Sequence, residues 1–92
     1  MIRSFKGKRA AELFAGRCPK VMESCRGTAE RKLAYLDAAS TLEDLRAPPG
    51  NALHALTHDR AGQHSIRING QYRVCFRWDQ GDAFDVEIVD YH

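Results

Sequence analysis

Two hydrophobic periods divide the chain. In the first half, the positions Met22, Cys25, Ala29, Leu33, Leu36 and Ser40 run in steps of three and four, which predicts a helix with one core-facing side and Lys and Arg on the other. Pro19 suits its first turn, and Gly27 weakens its middle and offers a point at which it can split. Upstream, "IRSF" reads as a short strand anchored by Ile2 and Phe5. "KRAAELFAG" reads as a short helix with Leu13 and Phe14 inward and Gly16 as its stop. "STLEDL" can cap and start one more turn, and "APPGN" reads as an extended linker. From Gln63 the period changes to two: "QHSIRI", "YRVCFRW" and "AFDVEIVDY", separated by "NGQ" and "DQGD", form an antiparallel meander. A strand, two helices and then three consecutive strands is an α+β order, with the helices packed on one face of the sheet. The expected organisation is one domain over residues 1–92.

The same alternation predicts the register. The core face takes Ile66 and Ile68, then Tyr72, Val74, Phe76 and Trp78, then Phe84, Val86 and Ile88. A slip of one residue swaps the faces, so the first turn must hold three residues, Asn69-Gly70-Gln71, with Ile68 opposite Tyr72. On the other face, Arg67 then lies opposite Arg73 and Ser65 opposite Cys75. A three-residue loop at 80–82 places Arg77 opposite Asp85, Cys75 opposite Glu87 and Arg73 opposite Val89, with Tyr91 diagonal to Arg73. Arg77 with Asp85 is an ordinary cross-strand pair, whereas two arginines directly opposite repel. Either Glu87 is shared between Arg67 and Arg73, or an anion fills the gap, and a phosphate fits two guanidinium groups well.

Charge and composition change this picture little. The net charge is +2, but the first 32 residues hold nine Lys or Arg against Glu12, Glu23 and Glu30, a surface for nucleic acid or an acidic partner. Three cysteines outside metal spacing fit a reduced, cytoplasmic protein. No apolar run approaches the roughly 20 residues that span a bilayer, and "MIRSFKGKR" lacks the apolar stretch of a signal peptide, so no membrane is expected. His54 and His58 stand four apart, but no further ligands follow at zinc spacing. His64 alternates with Ile66 and Ile68, which makes it a partly buried histidine rather than a site residue. Trp78 and Phe76 fall on the core face, whereas Tyr91 falls on the arginine face and is the better base-stacking candidate.

The stretches "AERKLAYLDAASTLEDLRAPPGN", "LHALTHDRAGQHSIRINGQYRVCFRW" and "DVEIVDYH" resemble the HigB group of the RelE/ParE toxin superfamily over nearly the whole chain. That resemblance implies a RelE-like fold related to microbial ribonucleases. It implies a ribosome-dependent endoribonuclease that cuts mRNA and stops translation, with no metal or cofactor. The implied partners are the ribosome and its mRNA, and a HigA-type helix-turn-helix antitoxin through which alone the toxin reaches operator DNA. Arg73 matches the family's sheet arginine at the scissile phosphate, with Arg67 on the same face. Asp90, Tyr91 and His92 match its C-terminal catalytic motif, and His54 matches a further histidine position. Where the family often reads Leu-Lys-Gly-Asp-Arg-x-Gly, this chain has Thr57 in place of the lysine, leaving His58 or Arg60 to supply RNA-binding charge. Cleavage without a metal needs a base for the 2′-hydroxyl, an acid for the leaving oxygen and cations for the phosphorane. Asp90 could orient an imidazole for one of these tasks. The ParE branch offers the other reading, a non-enzymatic poison of a protein such as DNA gyrase, which would need no histidines beside two arginines.

Overall fold

The computed structural model describes residues 1–48 and 50–91. Helix α1 (Arg9–Phe14) is only six residues long and buries Ala10 and Leu13. Phe14 does not turn inward as its neighbour does; it is 44% exposed, because a helix of this length has one inward stripe and Leu13 occupies it. The segment after Pro19 starts as a 3-10 turn (Lys20–Cys25) and becomes helix α2 (Arg26–Ala38) just before Gly27. Met22, Cys25, Ala29, Leu33 and Leu36 are buried as the period requires, but Ala39 rather than Ser40 closes the stripe. The chain turns there because Asp44 draws the Ser40 and Thr41 N–H groups onto one carboxylate oxygen, at 2.9 and 3.1 Å. Thr41 Oγ1 accepts from the Asp44 N–H in return, a capping box that starts the 3-10 turn Leu42–Leu45. Those N–H donors hold the Asp44 carboxyl below its usual range.

Four antiparallel strands follow, hydrogen-bonded in chain order: β1 (His54–Ala55), β2 (Gln63–Arg67), β3 (Tyr72–Asp79) and β4 (Asp82–Asp90). The meander therefore gains an edge strand. "LHALTH", which the sequence assigned to no element, pairs His54 with Ser65 and Ala55 with His64. The N-terminal stretch lies parallel to β4 on its other side, through bridges from Ile2 to Ala83 and from Phe5 to Val86.

The register of β2 and β3 is the one the alternation requires, with Arg67 opposite Arg73. Between β3 and β4 it is reached by another route. The turn has two residues, Gln80 and Gly81, both left-handed (φ 49° and 84°), so Asp79 pairs with Asp82 and Arg77 with Phe84 rather than Asp85. A left-handed Asp85 (φ 52°) then inserts one extra residue, and Cys75–Glu87 and Arg73–Val89 fall back into place. A short turn plus a bulge equals one longer loop. The consequence is local: Ala83 takes the core position expected of Phe84, whose ring lies instead under Arg77, 5.4 Å from its guanidinium carbon.

Both helices cover one face of the sheet. Their Ala10, Leu13, Ala29, Leu33 and Leu36 pack with Ile66, Val74, Phe76, Val86 and Ile88. Phe76 is the largest fully buried side chain. Truncating such a residue to Ala costs about 3–5 kcal/mol. The opposite face carries the arginines.

Candidate active site

Ala52, Arg67, Asn69, Gly70, Arg73 and Tyr91 line an open cleft of about 270 Å³ at one end of the arginine face. Arg73 is its most constrained member. Its Nε donates to Ser65 Oγ at 2.8 Å and its Nη2 to the Ala52 carbonyl at 2.8 Å. Its guanidinium carbon stands 5.7 Å from the centre of the Tyr91 ring. A guanidinium has five N–H donors, so about three remain for an anion. Arg67, directly opposite, gives its Nε to the Asn69 carbonyl at 3.1 Å. Neither arginine has a carboxylate partner among the described residues.

The sharing of Glu87 between these two arginines does not occur. Glu87 instead accepts from Arg60 Nη1 at 3.1 Å, and Arg60 also reaches Gln63 Oε1 at 3.1 Å. Glu87 holds the Arg60 guanidinium more firmly protonated, overcoming the desolvation that opposes it. Arg60 is thereby engaged by Glu87 and Gln63, the first residue of β2, and is not among the residues that line the cleft. Further along the same strand, Arg77 Nε pairs with Asp85 Oδ2 at 2.8 Å.

The remaining expected site residues separate in space. His54 is exposed on β1 opposite Ser65, which puts it on the arginine face beside the serine that holds Arg73. His58 stands exposed in the turn His58–Arg60, where a left-handed φ of 57° starts the turn. His54 and His58 thus lie on a strand and a turn, not on one helix. Tyr91 is 47% exposed, and its N–H donates to the Gln71 carbonyl at 2.6 Å. Asp90 pairs with Tyr72 and so points to the helix-covered side, where its Oδ2 accepts from Gln71 Nε2 at 3.1 Å. His92 lies outside the described residues.

Two residues that hold Arg73 went unassigned in the sequence. Ser65 is fully buried and could have been found, because period two already places it on the face of Arg67. Ala52 could not. It contributes a backbone carbonyl from a residue in the left-handed region (φ 47°), which no side-chain pattern encodes.

Several known proteins are similar to this chain. Toxin HigB-1 of Vibrio cholerae serotype O1 is 49% identical over 55 residues, which cover 60% of this chain and 58% of that protein. Endoribonuclease HigB of Proteus vulgaris is 32% identical over 93 aligned positions, covering 100% of both chains. The crystal structure of a YafQ mutant from E. coli shares the fold, with a TM-score of 0.61 at 13% identity over 99% of this chain and 92% of that one. A family model described as the RelE-like toxin of type II toxin-antitoxin system HigB matches residues 4–92, so the chain belongs to that family.

Proposed function

We propose that this chain is the toxin of a type II toxin–antitoxin pair and acts as a ribosome-dependent, metal-independent mRNA endonuclease. The observation that carries this reading is the pair Arg67 and Arg73, face to face across two strands with no carboxylate between them among the described residues. Holding two like charges opposite each other is unfavourable unless an anion completes the site. An RNA phosphate is the anion that fits both the guanidinium forks and the neighbouring Tyr91 ring.

In the proposed reaction, the 2′-hydroxyl attacks the adjacent phosphorus and the 5′ oxygen leaves. Arg73 and Arg67 meet the charge that builds on the phosphorane oxygens. The proton leaves the 2′-hydroxyl and reaches the 5′ oxygen through imidazoles, with His54 and His92 as the two assigned here. Tyr91 stacks on a base beside Arg73, and Asp90 accepts from Gln71 at the end of the same strand. Exposed His58 supplies the loop's RNA contact in place of Arg60, which Glu87 engages.

The cleft is open on its solvent side, so the chain alone positions an RNA strand weakly. A ribosome that presents the message in fixed geometry would supply the missing orientation, which can be worth several orders of magnitude in rate. The partner that restrains the toxin is a HigA-type helix-turn-helix antitoxin, and operator DNA is reached only through that complex. The site of action is cytoplasmic, where translating ribosomes are.

Primer extension on cellular mRNA after a pulse of expression tests this reading. Cuts are expected within a translated message and are expected to vanish when its start codon is removed. Growth arrest with intact messages would overturn it in favour of a protein target. Efficient cutting of naked RNA by purified protein would remove the ribosome from the scheme.

A further inference from the structure

Lys32 is 4% exposed, yet no carboxylate pairs with it among the described residues. Its Nζ donates to Asn51 Oδ1 and lies 5.7 Å from the Tyr35 ring centre. Burial pushes the Lys32 ammonium below its ordinary pKa, and nearby Arg31 adds to the effect. A core built for stability alone would place an apolar side chain here. The pair therefore needs another reason.

Asn51 gives one. It is fully buried, its Nδ2 donates to the Leu45 carbonyl at 3.0 Å, and its own carbonyl accepts from the Arg67 N–H at 2.6 Å. One residue thus ties helix α2, the turn after it and strand β2 together. The next residue is Ala52, held in a left-handed conformation that a residue with a Cβ disfavours. Its carbonyl is one of the two protein groups that hold the Arg73 guanidinium.

We propose that Lys32 and Asn51 are positioning residues for Arg73, acting through the strained Ala52 carbonyl rather than touching substrate. Without Lys32, Asn51 keeps its bonds to Leu45 and Arg67 but loses the one that fixes its Oδ1, and the loosened segment lets Ala52 relax to a negative φ. Arg73 then keeps Ser65 but loses its second anchor. A catalytic group misplaced by about 1 Å can cost on the order of 10² in rate. This inference rests on the reading of the cleft as the cleavage site, so its test begins with a signal that does not depend on cleavage.

That signal is the Arg73 Nε–Hε resonance in a nitrogen-15 NMR spectrum, followed during titration with inorganic phosphate. Lys32→Met, similar in length and apolar, is expected to move the resonance and weaken its phosphate response. Cleavage on programmed ribosomes, taken per folded molecule, should show kcat down by roughly 10- to 100-fold with KM nearly unchanged. In an Arg73→Ala background, Lys32→Met should cost nothing further, because it acts only through that arginine. Should Lys32→Met not fold, Lys32→Gln, which keeps an N–H donor on a shorter stem, carries the same measurements with smaller changes. An unchanged Arg73 signal in a folded Lys32 variant overturns the proposal. So does a loss of kcat that multiplies with that of Arg73→Ala. A wild-type protein that cuts no RNA, but whose Arg73 signal still responds to Lys32→Met, unseats the cleavage reading and supports the positioning role.

Discussion

Arg73 and Arg77 stand four residues apart on one strand, on one face, and meet opposite fates. At the Arg77 end two cations are answered by carboxylates: Asp85 pairs with Arg77, and Glu87 pairs with Arg60. At the Arg73 end two guanidinium groups face each other, held by a serine hydroxyl and backbone carbonyls that orient them without neutralising them. Neutral acceptors fix a cation's geometry and leave its charge available; a carboxylate consumes both. The difference separates a braced sheet end from a binding site, and it is made by which acceptors the neighbouring segments deliver.

The comparison breaks most sharply at Arg73. Arg73→Ala is expected to lower cleavage on programmed ribosomes by about 10²- to 10³-fold, the scale of one lost transition-state donor. Stability should fall by about 1–3 kcal/mol in urea unfolding, since two hydrogen bonds from a charged donor are lost and the buried Ser65 hydroxyl loses a partner. Full activity in a folded Arg73→Ala protein would remove the distinction between the two ends.

The braced end should show the reverse ranking. Arg60→Ala breaks a half-buried pair and is expected to cost about 1 kcal/mol in the unfolding free energy. Arg77→Ala, at an exposed pair, should cost less than about 0.5 kcal/mol. Both should leave cleavage within about twofold of wild type. A larger catalytic loss from Arg77→Ala than from Arg73→Ala would invert the assignment of the two ends.

The smallest effect belongs to the other face of β2. Burial holds the His64 imidazole below its ordinary pKa of 6.5, so the folded protein keeps it neutral. The unfolded chain takes up that proton first as pH falls. The contribution of His64 to stability is thus complete above pH 6.5 and declines as pH drops from there through the folded-state pKa. Thermal midpoints measured downward from neutral pH should fall, and His64→Gln should flatten that slope. An equal slope in both proteins would shift the pH dependence to other groups.

The sheet and its arginine face were legible in the sequence because period two is unforgiving: moving Arg73 off Arg67 would expose Ile66 and Val74 to water. The bulge was not legible, since a three-residue loop and a two-residue turn with one inserted residue give the same register beyond it. The difference shows only at Ala83 and Phe84. The edge strand at His54 was hidden by its length of two residues, too short for any period to register.

What the sequence by itself determined is which side chains share a face, because alternation along a strand and helical spacing are local geometry that burial enforces. Tertiary structure decided which of those side chains are neutralised and which stay available. Arg60 reaches Glu87 across 27 residues, and Ala52 reaches Arg73 across 21. Lys32 finds Asn51 at a separation of 19. No local pattern encodes such pairings, since they depend on how the turns bring distant backbone and side-chain atoms within hydrogen-bonding distance.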